Sequence, residues 1–286
     1  MAQQRVTADR AVHSDFLIHW TGKDIDAEDD FGWSEQDHRS KTSERATQRY
    51  LERLTNILRF GLWMIEDPTP TVLRLDAQQV VVPPTPQVCF TELKLSESRR
   101  HATRYGRLGI GVKRPFLFHR AGRPMLYYGF SNERNRDPFL QACASELADK
   151  RLLNYFKPMN EDERHLTYEY YAESEWRMLF FERLLLDRKV IDPRDSSNSA
   201  EYEYFQSLPP DQQRRLKYLV PLDGWLAMII YPSLKTKNAV QWEEYARIRE
   251  EIRRIKTAND HANRVEGLNG RGNWPIEVNL DACAHF

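Results

Sequence analysis

Between residues 88 and 128 the chain reads VCFTELKLSESRRHATRYGRLGIGVKRPFLFHRAGRPMLYY. Val88-Cys89-Phe90-Thr91 is a compact β-favouring run, and residues 96–104 read as a short polar helix that Tyr105-Gly106 terminates. Leu108-Gly109-Ile110-Gly111-Val112 and Met125-Leu126-Tyr127-Tyr128 read as two further strands around an Ala121-Gly122 turn. Strands follow one another here without a helix between each pair, so the pattern is not that of a doubly wound parallel sheet.

Outward from that stretch the same pattern holds. Phe16-Leu17-Ile18-His19-Trp20 has the form of a buried strand that runs into a turn at Thr21-Gly22. Residues 24–43 are acidic and polar and read as a loop that ends at a helix cap, Thr42 or Ser43. Ala46, Tyr50, Leu51, Leu54, Ile57 and Leu58 fall at helical spacing over residues 44–60, and Gly61 stands where a C-terminal cap belongs. Five prolines between 66 and 87 mark irregular connection, with Val80-Val81-Val82 a strand within it. Helical spacing returns over 137–156, and residues 168–181 alternate charged with apolar side chains in the period of a half-buried strand. A Pro/Ser/Asp/Asn-rich break at 192–199 precedes strands at 218–220 and 225–231 and a surface helix at 239–256. The expected fold is α+β, a mixed and mainly antiparallel sheet with flanking helices. It divides into a flexible tail at 1–15, a main domain at 16–190 and an extension at 191–286 that packs on the main domain.

The 42 basic residues equal the 42 acidic ones, so no net field draws the molecule to nucleic acid or to an anionic membrane. The longest apolar run, Trp225 to Tyr231, is far shorter than the ~20 residues of a membrane-spanning helix. The polar N-terminus does not have the form of a secretory signal, and three widely spaced cysteines suit reduced thiols, so a cytoplasmic protein with no disulfide and no metal site is expected. No glycine-rich phosphate loop, HExxH or GxSxG occurs in the chain.

Chemistry is expected first at Glu173-Ser174-Glu175-Trp176-Arg177. On a strand, Glu173, Glu175 and Arg177 share a face at steps of about 6.6 Å. Two carboxylates beside an arginine can orient a ribose hydroxyl and stabilise a cationic sugar during glycosidic cleavage; from spacing alone, a solvated, salt-bridged face is the plainer reading. His19 at a strand end, beside Thr21 and Gly22, can hydrogen-bond a ligand or simply cap the strand. Tyr105, in the turn before Gly106, can stack on a planar ring or pack. Arg99, Arg100, Arg104, Arg107, Lys113 and Arg114 are the densest basic cluster and can hold a phosphate or lie on a solvated helix face.

Taken in order, His19-Trp20-Thr21, the helix end Asn56-Ile57-Leu58-Arg59-Phe60-Gly61-Leu62-Trp63, the block Val88-Cys89-Phe90-Thr91-Glu92 and the block from His101 to Gly111 resemble the AbiGi family of abortive phage-resistance antitoxins. The resemblance runs on through Glu175-Trp176-Arg177. It implies a bacterial role in phage defence beside a partner encoded nearby, a toxin or defence effector. The same succession is more remotely similar to ADP-ribosyltransferases, some of which modify DNA. That second resemblance implies an ADP-ribosyltransferase-like scaffold binding NAD, with Glu175 catalytic and Glu173 accessory. His19 and Tyr105 would hold the cofactor, with Thr21 and Arg177 beside them. No Ser-Thr-Ser strand accompanies these blocks. The alternative function is a non-catalytic antitoxin or regulatory subunit.

Overall fold

The computed structural model describes residues 16–29, 40–75, 79–92, 94–130, 137–162, 165–169, 173–258 and 274–285. The first part of the chain forms β1 (Phe16–Thr21), α1 (Lys23–Ala27), α2 (Glu44–Phe60), β2 (Leu62–Ile65), β3 (Thr71–Arg74), β4 (Gln79–Val82) and β5 (Gln87–Thr91). There follow α3 (Ser98–Tyr105), β6 (Leu108–Lys113), α4 (Arg114–Phe118), β7 (Arg123–Pro124), β8 (Leu126–Phe130), α5 (Pro138–Glu146), β9 (Phe156–Asp162), β10 (His165–Glu169) and β11 (Glu175–Leu179). The last part forms α6 (Glu182–Leu186), α7 (Ser199–Gln206), α8 (Pro210–Arg215), β12 (Leu216–Val220), β13 (Leu226–Tyr231), α9 (Leu234–Ala239), α10 (Ala246–Thr257) and β14 (Ile276–Asn279).

The fold is α+β. A nine-stranded sheet runs β12-β2-β5-β1-β6-β13-β14, with β11 also on β5 and β7 on β11. Every pair in it is antiparallel except β13 with β14. Residues beyond 190 therefore supply β12 at one edge, and β13 and β14 at the other. A smaller sheet, β10-β9-β8, and a hairpin, β3-β4, stand beside it.

Helix α2 forms where its pattern places it. The Ser43 hydroxyl accepts from the Ala46 N–H at 3.0 Å, and the Gly61 N–H closes the last turn on Ile57 O at 2.8 Å. Gly61 has φ 104°, and a Cβ there would stand 2.2 Å from Val220 O, so only glycine fits. Its apolar stripe, with Ile248, Ile252 and Ile255 of α10, covers one face of the sheet. The opposite face packs Ile18, Trp20, Met228 and Ile230 against Ala102 of α3 and against Leu280 and Cys283.

Three local expectations are corrected. The loop expected over 24–43 begins instead as α1, because Ile25 is buried against the core; residues 30–39 lie outside the described ones. The helix expected over 137–156 stops at Glu146 and resumes as a 3₁₀ turn, Lys150–Tyr155. The single strand expected over 168–181 is two strands, β10 and β11, with Ser174 between them at φ 44°. A left-handed residue cannot continue a ladder, so β11 starts at Glu175.

No helix among the described residues is long and apolar enough to cross a membrane.

Candidate functional site

Glu173 and Glu175 are nearly inaccessible, at 2% and 5% exposure. Buried carboxylates must be paired or protonated. Here Lys157 of β9 lies between them, with Nζ 2.6 Å from Glu173 Oε2 and 2.7 Å from Glu175 Oε2. Arg177 Nε donates to Glu175 Oε1 at 2.6 Å, and the Tyr105 hydroxyl donates to Glu173 Oε1. Arg104 Nε stands 3.8 Å from the same oxygen. All four carboxylate oxygens are thus engaged. Burial raises the Glu175 pKa, but Arg177 and then Lys157 outweigh it and hold the group at about 2.

The surroundings tighten this arrangement. Tyr127, paired in register with Lys157, accepts the Glu175 N–H at 3.1 Å through its hydroxyl. Arg177 Nη1 donates to Asn154 O at 2.7 Å, tying β11 to the turn that leads into β9. Cys89, opposite Arg177, has its thiol pushed up to about 12 by burial and by the Glu175 charge, so it is no nucleophile at neutral pH. His101 stacks on the Tyr105 ring at 6.2 Å, and burial brings its pKa down to about 4.

The structure brings together Tyr105, Glu173, Glu175 and Arg177, and it sets His19 and Thr21 apart from them. Ile18 pairs with Thr91 and Thr91 with Glu175, so these three share one face of the sheet. His19 and Thr21 pair with Ile110 and Leu108, on the face covered by α2. By this parity the His19 and Glu175 side chains leave the sheet on opposite faces. His19 instead donates from Nδ1 to Cys89 O at 2.9 Å and stands at the edge of the Phe90 ring, 5.8 Å between centroids.

No protein-family model, no curated protein and no solved structure matches this chain. The site has to be read from its own geometry.

The basic cluster does not form one phosphate site either. Arg107 is wholly buried, donating to Asp26 Oδ1 at 2.6 Å and to Asp29 Oδ2 at 3.0 Å. Arg99 pairs with Asp281 at 3.1 Å, and Arg114 is bonded to Glu92. Lys157 was missed from sequence. Its only signal was Phe156-Lys157-Pro158-Met159, in which strand alternation turns the lysine away from the face of Phe156; nothing local names its partners, 16 and 18 residues on.

Glu175 also sets an acid dependence. Its folded pKa lies below the ordinary glutamate value of ~4.3, so its stabilisation is fully present above that value and is lost as pH falls through about 2. The loss is on the order of 3 kcal/mol. Urea midpoints measured from pH 6 to pH 2 should fall more steeply for the native chain than for Glu175→Gln, and parallel curves would contradict the assignment.

Proposed function

We propose that this chain is a phage-defence protein that acts by binding a protein partner, as an antitoxin or regulatory subunit, with Glu173 and Glu175 fastening the fold rather than performing chemistry. The observation that carries this reading is the engagement of every oxygen of both glutamates by Lys157, Arg177, Tyr105 and Arg104. A carboxylate that is to align a ribose or stabilise a cationic sugar needs an oxygen turned to substrate. The position of His19 on the sheet face opposite Glu175 supports the same reading. The phage-defence setting itself comes from the AbiGi resemblance.

One observation favours a second reading, an NAD-dependent ADP-ribosyltransferase acting on nucleic acid or protein. Tyr105, Glu173, Glu175 and Arg177 do lie in one cluster, and Glu175 is held ionised, as such a role requires. The deciding measurement is nicotinamide release from NAD by the purified chain, with DNA, RNA and host lysate added in turn, alongside recovery of the neighbouring gene product on affinity purification. The expected result is no release, with or without Glu175→Gln, and co-purification of the partner. Release that Glu175→Gln abolishes would replace the binding reading with the transferase one.

A further inference from the structure

A cleft of about 590 Å³ opens between α2, the strands β1 and β2, and the α7–α8 segment, where β1 pairs with β5 at Thr91 and β2 pairs with it at Gln87. The volume is within the range of small-molecule sites, roughly 300–1,000 Å³. His19, Thr21, Asn56 and Trp63 line it, and their chemistry is specific.

Cys89 O can only accept, so the proton of the His19 bond resides on Nδ1. Burial keeps the ring neutral by lowering its pKa. The other nitrogen, Nε2, is therefore a lone pair with no partner among the described residues, on a residue that lines the cleft. Asn56 stands one helical stripe along from Arg49 and Arg53, and its side-chain amide makes no hydrogen bond among the described residues; neither does the Thr21 hydroxyl. Along this side the cleft offers an acceptor in His19 and two groups that both donate and accept, Asn56 and Thr21. Beside them Trp63 is half-buried, braced by Tyr204 at 5.8 Å and Phe205 at 6.1 Å, and Tyr204 is itself stacked on Phe60 at 4.3 Å.

Charge narrows the choice. Arg49, Arg53 and Arg215 of the lining are matched by Asp24, Glu52 and Asp211. Arg53 is already held by both oxygens of Asp24, at 2.6 and 2.7 Å. A lining without net charge does not favour a polyanion.

We infer that this cleft binds a nucleoside: an uncharged planar nitrogen heterocycle that stacks on Trp63 and sets its N–H edge against His19 Nε2 and Asn56. A ring N–H satisfies the acceptor-only nitrogen, and the adjoining ring acceptors and amino groups satisfy Asn56 and Thr21. Stacking on an aromatic wall tolerates any base, whereas the hydrogen-bonded edge selects among them. The inference does not rest on the partner-binding reading.

Isothermal titration of the full chain with adenosine, guanosine, cytidine and uridine tests this, with NAD and inorganic pyrophosphate as charged comparators. At least one nucleoside is expected to bind in the micromolar-to-millimolar range, and Asn56→Ala and Trp63→Ala are each expected to weaken it by about tenfold or more. Asn56 is only half-buried and its side-chain amide makes no hydrogen bond among the described residues, so Asn56→Ala keeps the test alive if loss of Trp63 disturbs folding. Absence of binding by all four nucleosides, or binding that Asn56→Ala leaves unchanged, would overturn the proposal. Pyrophosphate or NAD binding tighter than any nucleoside would overturn the uncharged ligand class.

Discussion

Lys157→Met should cost about 3–5 kcal/mol of folding stability, the penalty for removing one partner of a buried ion pair. Methionine keeps the length of the stem, so the loss is electrostatic. Lys157 Nζ is the cation that Glu173 and Glu175 share, at 2.6 and 2.7 Å, and neither carboxylate is exposed enough for water to replace it. The loss should also loosen the small sheet, because β9 meets the β11 segment through this contact. Guanidinium denaturation would measure the loss. Glu173→Gln placed on top of Lys157→Met should recover part of it, a coupling of about 1 kcal/mol or more between neighbours in one network. A loss under about 1 kcal/mol would mean that solvent reaches the carboxylates.

Arg107→Met should be as damaging, again by about 3–5 kcal/mol, for a different part of the fold. Its side chain is fully buried, and it ties Asp26 of α1, Asp29, Ser40 and the Lys41 carbonyl to the start of β6. Tyr50 of α2 joins the same knot by donating to Asp26 at 2.5 Å. Burial raises the Asp26 pKa, with Arg107 opposing, so removing the guanidinium leaves the buried Asp26 carboxylate to protonate or to unfold the segment around it. The variant should therefore lose stability most above neutral pH and regain some of it in mild acid. Thermal melts at pH 5 and pH 8 would separate this from a simple packing defect, which would lower both melts equally.

How much of this was legible in the sequence depends on the distance over which each interaction acts. Helix α2 was readable because its signals are local: a serine cap, apolar positions at the helical period, and a glycine at the end. The succession of strands from 88 to 128 was readable for the same reason, and it carried the α+β assignment. The Glu173-to-Arg177 motif was visible as a charged stretch, and Glu175 and Arg177 do share a face. What could not be read was that Ser174 turns the chain before β11, or that a lysine from another sheet stands between the glutamates. His19 shows the point most clearly. Its residue type and strand were readable, but which face it took depended on the register of β1 on β5 and β6, where a slip of one residue reverses every side chain.

The position of β13 bears on how the molecule is made. The strand lies between β6 and β14 and is hydrogen-bonded to β6, which was synthesised more than a hundred residues earlier. Gly109 and Gly111 of β6 have no side chains to fill the space that Ile230 and Met228 later occupy; a Cβ on Gly111 would stand 2.7 Å from Met228 Cβ. Until β13 leaves the ribosome, the nascent chain carries β6 with one edge bare and apolar, an open template for pairing with other chains. Sheet closure thus rests on long-range pairing, which is intrinsically slow to form.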